Sequence, residues 1–328
     1  MKAVVWTGYG DPDVLQLGEV ETPVPKDDEV LIKLHAASVT AGDTEMRSLR
    51  FPFPLAVAIR LYTGPTKPKR IRVIGQDFAG EVAMVGRRAA RFREGDRVFG
   101  SNGLRGGSYA AYVTRSDAHT DMSGPLELMP ANASFDEAAA VPTGALEALH
   151  FLRAASISAG EHVLIRGSGG SIGTFGVQLA KHYGAEVTSV DTGEKLEMLR
   201  SIGADHVIDH TEEDICGRGE RYDVIFDVVG KSRLAPLLAC LASGGRYLLA
   251  NPRMSQMLRP RRRVGGDRTL IASVSGQAGE DLVFLRELIE AGALAPVIDR
   301  RYSLADTAEA HRYVETGQKQ GGVIITIP

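Results

Sequence analysis

The residues best suited to chemistry lie mid-chain, where the apolar run His162-Val163-Leu164-Ile165 passes into Gly167-Ser168-Gly169-Gly170-Ser171-Ile172-Gly173. Glycines at a strand-to-helix turn let a backbone approach a diphosphate, and the following helix offers N–H groups and the positive end of its dipole. A second run, Glu186-Val187-Thr188-Ser189-Val190, ends in Asp191, 18 residues beyond Gly173. Folds that bind dinucleotides carry an acid for the ribose hydroxyls about 20 residues on. The spacing therefore predicts a dinucleotide site, in which Asp191 would accept hydrogen bonds from a ribose and repel a 2′-phosphate. The competing reading of the glycines is a plain tight turn.

The elements that must hold these residues show in the hydrophobic pattern. From Ser134 onward short β-branched runs alternate with helical stretches: 162–165, 172–183, 186–190, 196–202, 206–208, 222–227, 234–241 and 246–249. That alternation predicts right-handed βαβ units and a parallel sheet. Ser134 with Glu137 has the spacing of a capping box. Before residue 120 the runs are closer together, at 30–34, 78–86, 97–100 and 109–114, without long helices between them, which predicts an antiparallel or barrel-like part. Strands and two helices return after about 267, closing on Val323 to Ile327.

Counts narrow the classes. At 328 residues the chain is long enough for two domains. Thirty-eight cations against 41 acids leave a charge of −3, so no basic field invites nucleic acid. Cys216 and Cys240 are the only cysteines, too few for a disulfide scaffold or a four-cysteine zinc site. Free thiols, no apolar run of membrane-spanning length and no export signal at the N-terminus make a reducing cytoplasm the expected compartment.

Gly160-Glu161 through Leu164, the glycine run, Gln178 and Lys181 together resemble the fingerprint of the zinc-free quinone oxidoreductase (zeta-crystallin-like) branch of the medium-chain dehydrogenase/reductases. Ala36-Ala37-Ser38-Val39, Gly75-Gln76-Asp77-Phe78-Ala79-Gly80, Val141-Pro142-Thr143-Gly144 and Asp223 to Gly230 are similar to the same branch, and Ser171 departs from its usual glycine. The resemblance implies an α/β protein in which a GroES-like β-barrel domain is split around an inserted Rossmann doubly wound parallel-sheet domain. The expected bounds are 1–122, 123–266 and 267–328. It also implies a cleft between the domains, a nucleotide pocket drawn from Thr143, residues 168–173, Asp191, Thr192, Lys195 and Asn251, and a homodimer or homotetramer. Thr192 and Lys195 fall where NADPH-using members carry a small polar residue and a cation. Asp191 and Glu194 are two acids against that one lysine, so NAD(P)H is expected with NADH favoured.

Zinc-using relatives hold their metal with Cys and His where this chain has Ser38 and Gln76, and hydroxyl and amide oxygens are poor zinc ligands. Without a Lewis acid, hydride delivery to a conjugated acceptor is the easier reaction, because a quinone or α,β-unsaturated ketone spreads the arriving charge itself. A ketone or aldehyde reductase, and a dinucleotide-binding protein without turnover, stay open. Thr40 and Tyr62 are the catalytic candidates; Asp43 reads first as a carboxylate tying down a loop. In residues 51–72 six apolar side chains precede Lys67, Lys69, Arg70 and Arg72. They read either as an apolar lip over a hydrophobic acceptor, even one drawn from a membrane surface, or as a packed segment with a solvated basic edge. Arg259, Arg261, Arg262 and Arg263 form a further basic loop.

Overall fold

The computed structural model describes residues 1–118, 124–217, 219–230, 234–252, 261–273 and 279–328. The chain divides into two units: Met1–Thr143 with Gln277–Gly292 and Pro296–Pro328, and Gly144–Gly276 with Ala293–Ala295.

The first unit opens on a hairpin of β1 (Lys2–Trp6) and β2 (Leu15–Glu19). Next come β3 (Glu29–Ser38), the helices α1 (Ala41–Ser48) and α2 (Phe53–Thr63), and then β4 (Asp77–Val85), β5 (Arg97–Ser101), β6 (Tyr112–Ser116) and β7 (Leu126–Leu128). A short helix α3 (Phe135–Ala139) follows, opened by the Ser134–Glu137 capping box. β3 is the hub: it pairs antiparallel with β4 and β6, and its last residues meet the C-terminal strand described below. Val30, Ile32, Leu34, Phe78, Val82 and Val98 point into one core, as the alternation in these runs requires.

Helix α4 (Pro142–Ala155) carries the chain into the second unit, with Pro142 starting the helix where a missing N–H costs nothing. There β8 (His162–Arg166), α5 (Ser171–His182), β9 (Glu186–Asp191), α6 (Leu196–Ser201), β10 (His206–Asp209) and β11 (Tyr222–Asp227) alternate. α7 (Leu234–Ala239), β12 (Leu241–Leu249), β13 (Arg261–Arg263) and β14 (Thr269–Ile271) complete the unit. The sheet order is β10-β9-β8-β11-β12-β14-β13, parallel except for the edge strand β13. The order reverses between β8 and β11, and at such switch points α/β sheets hold ligands at the strands' carboxyl ends. Val163, Leu164 and Ile165 are all fully buried, as a strand covered on both faces demands.

The chain then returns to the first unit with α8 (Gly279–Glu290), β15 (Ile298–Ser303), α9 (Thr307–Glu315) and β16 (Gly322–Thr326). β16 lies between β15 and β3, with Ile324 opposite Ser38 and Ile325 opposite Ala37.

Three features differ from the sequence expectations. Residues 124–143 sit with the first unit, not with the dinucleotide-binding part, because β7 pairs with β5 and Phe135 of α3 stacks on His35 of β3 at 4.3 Å between ring centres. β14 belongs to the parallel sheet, so that unit continues past 266. Cys216 and Cys240 are not free: they form a disulfide, since the β10–β11 connection packs against the end of α7, so no free thiol points to a reducing compartment. Of the basic loop, Arg261 to Arg263 form edge strand β13, and Arg259 lies outside the described residues. No helix among the described residues is long and apolar enough to cross a membrane.

Candidate active site

The glycine turn joins β8 to α5 at the switch point. Gly167 adopts φ +78°, a conformation that side chains resist. A Cβ on Gly173 would lie 2.4 Å from the Gly167 carbonyl oxygen, so glycine there is what lets the start of α5 sit on the turn. On Gly169 it would strike the Lys195 side chain at 2.4 Å, whereas on Gly170 it would meet nothing nearer than 3.8 Å. Gly170 therefore presents an open backbone, and it is the N-cap of α5 with no side chain covering that end. The N–H groups of Ile172 and Gly173, in the first helical turn, have no acceptor within the helix. This cradle fits a diphosphate.

Asp191 closes the turn. Its Oδ2 accepts the Gly169 N–H at 2.8 Å, and its Oδ1 accepts the Thr192 N–H at 2.9 Å and meets Lys195 Nζ at 3.0 Å. Both side chains of the ion pair are nearly buried. The Asn251 side chain donates to the Val228 carbonyl at 2.6 Å. Ser168, fully buried, donates to the Val190 carbonyl at 3.2 Å, so its hydroxyl holds the turn to β9.

A second cluster of polar groups occupies the first unit. Thr40 caps α1 in a full capping box: its hydroxyl donates to Asp43 Oδ2 at 2.8 Å and accepts the Asp43 N–H at 3.1 Å, while Asp43 Oδ2 accepts the Thr40 N–H. Burial pushes the Asp43 carboxyl up to about 7 against the pull of the Thr40 hydrogen bonds, and the charge of Asp77 adds to the rise. Asp77 accepts the Thr143 N–H at 2.9 Å, the Thr143 hydroxyl at 2.7 Å and, more weakly, the Ser38 hydroxyl at 3.4 Å. Burial lifts it to about 6, and its hydrogen bonds with Thr143, Ser101 and Ser38 hold it from going further. Tyr109, wholly buried, has its hydroxyl within 3.2 Å of His311 Nε2 and is raised well above the ordinary phenol range by burial and by the Asp43 and Asp77 charges. His311 is held neutral, its pKa dropped to about 3 by burial and then by the Arg47 charge. The Gln76 side chain lies beside Gly42. Among the described residues no group of three or more His, Cys, Asp or Glu could hold a metal ion.

The structure thus sets Asp191, at the end of β9, and Lys195 against Gly169 in the turn that runs through Ser168, Gly169, Gly170, Ser171, Ile172 and Gly173, with Thr192 donating to Asp191. Thr143 is joined to Asp77, and Thr40 to Asp43. Tyr62 stands apart on the exposed side of α2, under the Arg70 guanidinium at 4.1 Å from the ring centre. Sequence reasoning passed over four groups. Asp77 carried a signal, since it stands in the Gly75-Gln76-Asp77 stretch already singled out. Tyr109 and His311 carried none, because they meet only through β-sheet closure. Glu147 is a lone acid in the apolar run of α4, one turn beyond Gly144, whose Cβ position would be 3.1 Å from the Ser171 carbonyl; burial pushes its carboxyl up to about 7.

Residues 26–149 match the family described as alcohol dehydrogenase GroES-like domain, and residues 202–325 match the one described as zinc-binding dehydrogenase. Human quinone oxidoreductase is 30% identical over 100% of this chain and 98% of its own. The chloroplastic NADPH-dependent alkenal/one oxidoreductase of Arabidopsis thaliana is 33% identical over 99% of this chain and 79% of its own. The solved structure of the quinone oxidoreductase from Coxiella burnetii superposes with a TM-score of 0.85 at 28% identity, covering 100% of this chain and 99% of that one.

Proposed function

The chain belongs to the medium-chain dehydrogenase/reductase family, in its quinone oxidoreductase branch, and on that premise we propose that it reduces quinones or α,β-unsaturated carbonyl compounds with NAD(P)H and without zinc. The observation that carries the reading is the open glycine cradle at the switch point, backed by Asp191. Bound there, the nicotinamide cofactor supplies the hydride. The chain's own part is to bind and orient: Gly170 and the first turn of α5 receive the diphosphate, and Asp191, Thr192 and Lys195 stand at the ribose. At the positions where zinc-using relatives have a thiolate and an imidazole, this chain has the Ser38 hydroxyl, donating to Asp77, and the Gln76 amide.

We propose Thr40 Oγ1 as the proton donor to the reduced acceptor; what supports it is the hydrogen bond to Asp43 Oδ2, a carboxyl that burial lifts to about 7 and that can return the proton. Oxidation of NADH and NADPH against naphthoquinones, enones and aldehydes tests the reading. Turnover with aldehydes alone would replace it with an aldehyde reductase, and cofactor binding without any turnover would replace it with a non-catalytic binding protein.

The cofactor preference follows from the Asp191–Lys195 pair. Asp191 and Glu194 favour NADH, and the salt bridge narrows the margin by neutralising one of those acids. The expected kcat/KM ratio is above one for NADH and below about tenfold. Lys195→Ala leaves Asp191 uncompensated and widens the ratio. A kcat/KM about tenfold or more higher with NADPH overturns the NADH assignment. The same reading includes a homodimer or homotetramer, which light scattering in solution checks.

A further inference from the structure

Helix α2 shows water the wrong face. Its inward side is made of Ala56, Ile59 and Thr63, which are half-buried or buried, with Ile59 packed on the core of the first unit. Phe53, Val57 and Leu61, spaced at i, i+4 and i+8, form its outward stripe and are 82%, 42% and 67% exposed. Pro54 and Ala58 lie along the same side and are also exposed. A surface helix of a globular protein turns its charged side outward; one that turns an apolar stripe outward has an occupant for it.

The charges around the helix identify that occupant. From Leu49 to Gln76 there are six cations, Arg50, Arg60, Lys67, Lys69, Arg70 and Arg72, and no acid. Among the described residues Lys67, Lys69, Arg70 and Arg72 form no salt bridge, and all four are exposed. Arg50 is paired with Glu315, so a second copy of this surface would set the remaining five cations against five, which like-charge repulsion opposes. The helix has 11 residues, or about 16 Å, roughly half of what is needed to span a bilayer, so it suits lying in the interface. An apolar stripe rimmed by unpaired cations matches the combination that holds a helix in an anionic headgroup layer.

We infer that α2 and the basic segment after it dock the protein on an anionic phospholipid surface, with Phe53, Val57 and Leu61 inserted and Lys67, Lys69, Arg70 and Arg72 at the headgroups. The inference goes beyond the redox reading and is measured without turnover. The full chain is sedimented with vesicles of phosphatidylcholine alone or mixed with phosphatidylglycerol. Partitioning onto the anionic vesicles is expected to exceed that onto the neutral ones by about tenfold or more and to fall steeply between about 0.05 and about 0.5 M salt. Phe53→Ser with Leu61→Ser, both at exposed positions, lowers it about tenfold with unchanged circular dichroism and melting temperature. Reversal of the four cations to Glu lowers it about hundredfold or more. Equal binding to both vesicles, undiminished binding of the serine variant, or a serine variant that only turns a dimer into a monomer without any vesicle binding would each overturn the proposal.

Discussion

Asp43 combines two roles that usually exclude each other. As the third helical residue of α1 it accepts from the Thr40 backbone and side chain, which favours the carboxylate; as a wholly buried group it resists ionising, and the balance falls near 7. Its pKa lies above the 3.8 of an unperturbed carboxyl, so the fold favours the protonated form. The resulting stability is complete below about pH 4 and is lost as pH rises through 7. Asp43→Asn keeps an acceptor for the Thr40 N–H and abolishes the titration. Wild type minus variant should therefore lose on the order of 1–4 kcal/mol between about pH 4 and pH 8, read from denaturant unfolding at each pH. His311 acts in the opposite sense, since its depressed pKa removes stability as pH falls below 6.5, and it cancels in that difference. A flat difference would show that Asp43 ionises normally. Kinetics add a second readout: if Asp43 reprotonates Thr40, the variant lowers kcat and flattens its pH profile near neutrality, while the cofactor's KM stays fixed.

At the scale of elements, the glycine turn was legible because its chemistry is local. Strand, turn and helix are consecutive in sequence, and Asp191, which accepts the Gly169 N–H, ends the next strand, so spacing alone picks out the acid that meets the turn. Gly173→Ala tests how much the turn depends on close approach. The added Cβ would stand 2.4 Å from a backbone oxygen that cannot move without unseating β8. A loss of about 2–4 kcal/mol in stability and of nucleotide-induced fluorescence change is expected; Gly170→Ala, facing open space, should keep the stability and lose only the nucleotide. The polar cluster in the first unit was far less legible. Asp77 bonds Thr143 across 66 residues, and Tyr109 reaches His311 across 202. No periodicity encodes such partners; they meet only because β3, β4 and the returning C-terminal segment close one sheet. α2 was half legible: its composition announced an apolar segment with a basic edge, and only the structure shows which stripe turns outward.

For the whole molecule, two units were legible in the length and in the change of hydrophobic period near Ser134, whereas the interruption of the first unit by the second came from the family resemblance, and the seams came from neither. Pairing of β7 with β5 and the docking of α3 on β3 are long-range events, which is why residues 124–143 fall with the first unit. The disulfide was missed for the same reason: Cys216 and Cys240 are 24 residues apart and meet only through the crossover between β10 and β12. Closing a loop of that length stabilises by about 3 kcal/mol in the chain-entropy account. Cys216→Ser, or reduction of the wild type by dithiothreitol, is expected to lower unfolding free energy by roughly that amount, measured on the full chain. No response to reductant would mean that the pair contributes nothing to the folded protein.

The hub strand also orders the events of synthesis. β3 finds one of its partners, β16, only after residues far downstream have been made, since Ser38 stands opposite Ile324. The parallel sheet of β8 to β14 has all its strands by residue 271, so it can form while the sheet around β3 still lacks an edge. Until residues 324–326 emerge from the ribosome, Ala36 to Ser38 present an unpaired backbone edge to the cell, the kind of edge that recruits stray strands. Removal of residues 322–328 makes that transient state permanent, and such a chain is expected to aggregate on expression while the parallel-sheet region keeps its amide protection in hydrogen exchange.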